Sequence, residues 1–452
     1  MNRLWSLSDR RTAAKVSNLV RWLQSRPLSS LLVACIAVSF YVVGLLHGRT
    51  SKAHISIATL YTSSGSEVCP PCDIPEGLKA LIPALPSKYE DLLKSTATRW
   101  LTPWDKYDFE SASISTKMVD NLWDYMLDRG HSHSSFRVRV INGSLIWPPT
   151  LMQAALQANI YYMPRVHHWH NLFEALEAAH GLPDYLDMVI SIQDRPKLFR
   201  APFHMDKAPL FVYTTTSDFA EIPLPTTEYY GKIKQLLPSE LEDAQRWDGR
   251  TAKAIWRGSP TGGEYTKENF WRYPRTHLVN HTRANSDILD AKFLPCAPGQ
   301  CSEQTFQAMK EAGLPTDTKQ FSFGEFTSYK YLIDIDGNAW SSRYAHVLAC
   351  GAVFFKANSP YTEYFYDFLT PYKDYIPIAE DASDLPEKLR YAVAHDEEMR
   401  LVHQRVLEKY AKLIGNGNWL KYVHYLLSEY SSLLERPAMM LTKDVMRFTG
   451  SS

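Results

Sequence analysis

The 452-residue chain lacks an excess of charge of either sign: 49 lysines and arginines stand against 49 aspartates and glutamates. No global field therefore argues for nucleic acid as a partner. It also lacks the common phosphate signatures. The turn from Gly258 to Gly263 has no G-K-[ST] ending, and no G-x-G-x-x-G occurs, which weakens ATPase and dehydrogenase readings. Cysteines are few, six in all. Cys35 and Cys350 lie in apolar runs and are expected to pack as small hydrophobes. Cys69, Cys72, Cys296 and Cys301 suit disulfides in an oxidising compartment, in any of three pairings. Zinc is a weak alternative, because the two pairs are far apart in the chain. Aromatics are abundant instead, at 13%, with 26 Tyr and 12 Trp. That is enough for large cores, and it also suits sugar-binding surfaces. The length predicts two or three domains.

Charge is missing altogether from Leu28 to Leu46 (LSSLLVACIAVSFYVVGLL). At ~1.5 Å per residue this run is long enough for a hydrocarbon core of ~30 Å with some thinning. Arg3, Arg10, Arg11, Lys15, Arg21 and Arg26 precede it against one acid, Asp9, and only Arg49 and Lys52 follow nearby. The basic side stays cytosolic, so the bulk of the chain is expected to be lumenal. A cleaved signal peptide fits less well: the leading segment is long for one, and no A-x-A site follows. The expected organisation is a cytosolic tail at 1–27, a signal anchor at 28–46 and a Ser/Thr/Pro-rich stem at 47–95. Two α/β domains at 96–240 and 241–400 follow, then closing helices at 401–452. Asn142 and Asn280 open sequons. The chain stops at FTGSS without a K-D-E-L ending, which favours Golgi over ER.

Periodicity supplies the elements. FRVRVINGSLIW alternates around Asn142-Gly143, a hairpin signal. HNLFEALEAAH reads as a helix from His170 to His180 stopped by Gly181. LDMVISI, the run Leu210 to Tyr213, AIW at Ala254, YLIDID, AVFFK and YIPI read as strands, with helices between. Asp384 followed by Glu387 has capping-box spacing. Met399, Val402, Val406, Tyr410 and Leu413 share one helix face. Two such blocks predict two α/β domains with parallel sheets. HHWH (His167, His168, His170) reads as packing and capping residues at a loop-to-helix junction.

In open α/β sheets ligands sit beyond the carboxyl ends of strands. Three segments fall at such ends: Asp194 after LDMVISI, Arg257-Gly258-Ser259 after KAIW, and Asp336 to Arg343 (DGNAWSSR) after YLIDI. Together they suggest transfer from a diphosphate-activated donor. A leaving diphosphate gathers negative charge that N–H groups, hydroxyls and arginines stabilise. Ser341, Arg343 and Arg257 or Arg275 supply such groups, and Asp194 is placed to take the acceptor's proton. Asp334 and Asp336 have D-x-D metal spacing, but the pair lies along a strand, with only Asp336 at its end. Pro260 to Gly263 are expected only to shape a turn.

VISIQDRPKLF, KAIWRGSPTGG, YKYLIDIDGNAWSSRYAHVLACGAVFFK and YTEYFYDFLTPYKDYIPI together resemble glycosyltransferase family 90. The resemblance covers roughly Asp184 to Leu434. It implies a GT-B fold, two Rossmann-like domains with a cleft between them, and inverting transfer from a UDP-sugar with no required metal or other cofactor. It implies that Asp194, in Gln193-Asp194-Arg195-Pro196, is the catalytic base. Donor contacts are implied for Ser259 with Arg257 and Gly258, for Arg275 (Arg272 being the alternative), and for Asn338, Ala339, Trp340, Ser341, Ser342 and Arg343. The acceptor would be a hydroxyl of a glycan or protein. A non-catalytic, membrane-anchored glycan-binding protein with the same fold is the competing class.

Overall fold

In a computed structural model the described residues are 86–436 and 446–447, apart from 106–113, 132–133, 148–162, 201–205, 227–237, 298, 345–347 and 416. The expected anchor at 28–46, Cys35, Cys69, Cys72 and nearly all of the stem lie outside them. Among the described residues no helix is long and apolar enough to cross a membrane. The last part of the expected stem is folded. Helix α1 (Ser87–Asp105) buries Leu93, Ala97, Leu101 and Trp104.

The first half is built on a six-stranded sheet in the order β11-β2-β1-β3-β4-β5. Its strands are β1 (Ser135–Ile141), β2 (Ser144–Trp147), β3 (Tyr185–Ser191), β4 (Leu210–Val212), β5 (Glu221–Pro223) and β11 (Met446–Arg447). The expected parallel pairing holds only for β3, β4 and β5. β1 runs antiparallel to both β2 and β3. The cause is the hairpin: Asn142 and Gly143 take φ of 52° and 70°, the two left-handed residues of a tight reversal. The Asn142 sequon therefore sits in the turn itself. β3 is buried along its whole length, as a strand covered on both faces must be.

The second half carries β6 (Thr251–Gly258), β7 (Leu289–Phe293), β8 (Tyr329–Asp334), β9 (Val353–Ala357) and β10 (Ile376–Ile378). Every pairing in this sheet is parallel, in the order β10-β9-β8-β6-β7. β7 had no expected counterpart. Its sequence LDAKF alternates buried and half-buried, too short a signal to separate from a loop.

The last helix among the described residues, Asn418–Leu433, returns to the first half. Tyr430 and Ser431 donate hydroxyls to the carbonyls of Asp187 and Tyr185 at 2.8 and 2.7 Å, and Tyr422 donates to Pro223 O at 3.1 Å. The halves also meet through reciprocal backbone hydrogen bonds between Thr215 and Thr362, at 3.1 and 2.8 Å.

Two local expectations are corrected. His167, His168 and His170 lie inside helix Met163–His180 rather than at its start, and Trp169 among them is fully buried. The helix after Asp384 forms, at Leu385–Ala394, without the capping box. The Asp384 carboxylate accepts the Ala379 N–H at 2.8 Å and pairs with Lys388 instead. Cys350 is buried, as expected. Of the pairings left open, Cys296 joins Cys301, with Cα atoms 5.6 Å apart.

Candidate active site

From β6 the chain steps outward to β7, then returns to place β8 on the other side of β6. Loops leaving two adjacent parallel strands in opposite directions open a crevice at their carboxyl ends. The Gly258–Gly263 turn follows β6, and the Asp336–Arg343 segment follows β8. Across from them, the chain leaves β3 and carries Asp194. The resulting cleft, about 230 Å³, is lined by Arg165 and Asp194 on one side. The other side is Thr261, Arg275 and the run Gly337 to Arg343.

The second-half wall is held by close backbone approach. Gly262 has φ of 105°, and a Cβ there would come within 3.2 Å of Gly337 O. A Cβ on Gly337 would meet Thr261 Oγ1 at 2.9 Å and Arg275 Nη2 at 3.0 Å. The Gly262 N–H donates to Asn338 Oδ1 at 3.1 Å. Pro260 to Gly263 thus do more than shape a turn, because Thr261 lines the cleft and Gly262 ties down Asn338.

Arg275 and Arg343 carry the positive charge of this wall. Arg275, near the start of the helix Pro274–His281, donates to Asp336 O, Ser259 O and Ile335 O at 2.8, 2.9 and 3.2 Å. Arg343 Nη1 donates to Arg257 O at 2.5 Å. Neither forms an ion pair with a described residue. Burial, and then the neighbouring Arg343, pushes Arg275 down to about 10. Burial also lowers Arg343. Two like charges held together over the Trp256 ring, hydrogen-bonded among the described residues only to neutral carbonyls, make a site suited to an anion. Arg272, the alternative to Arg275, is exposed and does not line the cleft.

Ala339, Trp340 and Ser341 are buried, while Ser342 is exposed. The Trp340 ring lies 6.2 Å from that of Tyr213, whose hydroxyl accepts the Trp169 indole N–H at 3.0 Å. Trp340 thus lines the cleft with Tyr213 and Trp169 packed in succession beyond it.

The segment after β6 is placed differently from expectation. The Arg257 guanidinium is 3% exposed and bound to Asp290 at 2.8 Å and Asp317 at 3.1 Å, so its charge is satisfied within the sheet and turned away from the cleft. The Ser259 hydroxyl donates to Pro295 O at 2.7 Å, and this residue reaches the cleft only through its carbonyl on Arg275. Gly258 does not line the cleft either. A Cβ on Gly258 would strike the buried Trp256 ring at 2.6 Å and approach Arg343 Nη2 to 3.2 Å, so its role is to let Arg343 in. The D-x-D pair is split. Asp334 is buried against Lys356 at 3.4 Å, whereas Asp336 accepts the Ser359 hydroxyl at 2.5 Å. Burial pushes Asp336 up to about 6, against the Ser359 hydrogen bond.

Asp194 is anchored from several directions. Arg165 Nη1, from the Met163–His180 helix, donates to Ile192 O at 2.7 Å and to Asp194 Oδ1 at 2.8 Å. Asp194 Oδ2 accepts no hydrogen bond from the described residues. Further along, the Tyr125 hydroxyl donates to Lys197 O at 3.1 Å. Glu221, at the start of β5, accepts the N–H groups of Lys197 and Leu198 at 2.5 and 2.7 Å. Sequence reasoning missed Arg165 and Glu221. Both act across 20 residues or more, and neither belongs to a motif with recognisable spacing.

Glu221 is a prediction in itself. Burial pushes its carboxyl up to about 8, against the two N–H bonds. The folded state therefore holds a proton that the unfolded chain releases near pH ~4.3. This contribution to stability is full below that pH and is lost as the pH rises towards 8. Glu221→Gln keeps an oxygen for both N–H groups and has no charge to bury. The variant is expected to melt several degrees above the wild type at pH 8 and to converge with it near pH 5, as thermal unfolding across pH will check.

The architecture and this cleft define an α/β protein with two sheets, in which Arg275 and Arg343 line one wall of a cleft and Asp194 lines the other. The chain belongs to glycosyl transferase family 90, whose model matches residues 109–444. It is 29% identical to human Protein O-glucosyltransferase 1 over 280 residues, 57% of this chain and 65% of that one. It is also 29% identical to zebrafish (Danio rerio) Protein O-glucosyltransferase 2 over 262 residues, 56% and 48% of the two chains. The match thus spans about two-thirds or less of these relatives' lengths. Among solved structures, Anabaena HepE in complex with UDP-glucose aligns with a TM-score of 0.31 at 9% identity, covering 43% of this chain and 54% of that one. TarM aligns at 0.30 and 12%, covering 40% and 36%. Likeness that slight carries nothing over to this chain's site.

Proposed function

We propose that the protein is an inverting, metal-independent glycosyltransferase that moves a sugar, glucose or xylose, from a UDP-sugar to a hydroxyl of a glycan or protein. One observation carries this reading: Arg275 and Arg343, without ion-pair partners among the described residues, face Asp194 across one cleft. The acceptor oxygen attacks the anomeric carbon while the bond from that carbon to the diphosphate oxygen breaks. The bonding electrons leave with UDP, whose added negative charge falls beside the two arginines. The acceptor's proton passes to Asp194 Oδ2. Donor contacts are assigned to Arg275, Arg343, Thr261 and the run Asn338 to Ser342. Arg257, Gly258 and Ser259 act indirectly. The paired states of Asp334 and Asp336 support a mechanism without a metal bridge. The names of the relatives favour glucose and a protein acceptor.

A single-pass type II anchor at 28–46, with the head in the Golgi or ER lumen, completes the proposal. It rests on the charge-free run and the basic residues before it.

The test is UDP release by the soluble head, about residues 88–452 with the N-terminal turn of α1 restored to Ser87, from a panel of UDP-sugars with acceptor extracts and excess EDTA. Acceptor-dependent UDP from UDP-glucose or UDP-xylose is the expected outcome. Glycan binding without UDP release would mark the protein as a non-catalytic binder. Loss of activity in EDTA, reversed by Mn²⁺, would overturn the metal-free mechanism.

A further inference from the structure

Arg195 follows the assigned base, yet its side chain does not belong to the base's half of the molecule. Its Nε donates to Asn338 O at 3.1 Å, across the cleft. Asn338 is also the residue whose side-chain Oδ1 accepts the Gly262 N–H. One residue of the donor wall therefore joins three loops: the base loop, the turn after β6 and its own segment after β8. The rest of the Arg195 guanidinium is exposed and makes no other hydrogen bond with a described residue.

We propose that Arg195 is a positioning residue that couples the place of the base to the place of the donor. The inference rests on the reading of Asp194 as the base. Arg165, Tyr125 and Glu221 fix the base loop to its own sheet, so they set its shape but not its distance from the other half. The Thr215–Thr362 backbone pair joins the halves as well, but it involves neither the base loop nor the donor segment. Arg195 is the hydrogen bond, among the described residues, that runs directly from the base loop to the segment lining the donor side. When the Asp336–Arg343 segment settles on a donor diphosphate, the Asn338 carbonyl moves with it, and Arg195 draws Asp194 into reach of the acceptor hydroxyl. Misplacement of a reacting group by about 1 Å is enough to cost on the order of 10²-fold in rate.

The experiment compares the wild type with Arg195→Met and Arg195→Lys. It reads kcat and donor KM from UDP release, UDP affinity from calorimetry, and Tm. Arg195→Met is expected to lower kcat by roughly 10–100-fold. UDP affinity and donor KM should stay within about threefold, and Tm should stay unchanged, because the group is exposed and the Thr215–Thr362 pair remains. Arg195→Lys, which keeps a donor at the end of a flexible stem, should recover part of kcat. Unchanged kcat in Arg195→Met would overturn the proposal. So would a parallel loss of UDP affinity, which would make Arg195 a direct donor ligand, or a drop in Tm that accounts for the lost rate. A wild type that binds UDP but transfers nothing would instead remove the underlying reading of Asp194, and the coupling role with it.

Discussion

Asp194→Asn is expected to lose acceptor-dependent transfer by about 10²–10⁴-fold, the usual worth of a general base, while binding UDP as the wild type does. The amide keeps the size of the carboxylate and still offers an oxygen to Arg165, so the loop geometry survives. It cannot take the proton of the attacking hydroxyl. UDP is held on the opposite wall, by Arg275, Arg343 and the segment around Asn338, and none of these loses a partner. Single-turnover rates and UDP calorimetry on the purified head check both halves of the expectation. Full turnover by the variant would remove Asp194 from the chemistry and leave the cleft without an assigned base.

Arg343→Met is expected to weaken UDP binding by roughly 10–100-fold, the equivalent of one lost charge-assisted contact of about 1.5–3 kcal/mol. The same substitution is expected to leave the unliganded protein as stable as the wild type or slightly more so. Arg343 is held beside Arg275, with burial working against its charge, and it bonds one backbone carbonyl. Removing it relieves a like-charge contact at the loss of a single hydrogen bond. Arg275→Met differs in sign, because Arg275 satisfies three carbonyls and its loss leaves them unpaired in a buried place. Calorimetric affinity for UDP, set beside melting temperature for the two variants, separates a ligand-binding arginine from a purely structural one. Two structural arginines would both lower stability and change UDP affinity little.

Strand and helix positions were largely legible because each carries its own periodicity. The largely apolar β3 and β9, the NG hairpin and the Met399-to-Leu413 face all announce themselves within about fifteen residues. The boundaries that failed did so where tertiary contacts override local pattern. The helix around HHWH starts early because Trp169 is drawn into the core. Asp384 gives up its cap for Ala379 and Lys388. The first sheet is mixed because a hairpin reverses its leading strand.

The site was legible to the level of segments and no further. Sequence alone determined that Asp194, the turn after KAIW and DGNAWSSR stand at strand ends, since periodicity locates where a strand stops. It could not determine which side chains at those ends face one another. As letters, Ser259 stood as the donor-binding hydroxyl of its turn, and Arg257 and Arg275 as alternative guanidinium contacts. Only the folded chain decided that Arg257 is neutralised by Asp290 and Asp317, that Ser259 turns its hydroxyl to Pro295, and that Arg275 and Arg343 meet in the cleft without an ion-pair partner among the described residues. The reason is physical. A strand's period assigns a residue to a face, but the partner that meets it comes from another element, and strand order and loop path decide which one. Arg165, Glu221 and Arg195 owe their roles entirely to that choice of partner.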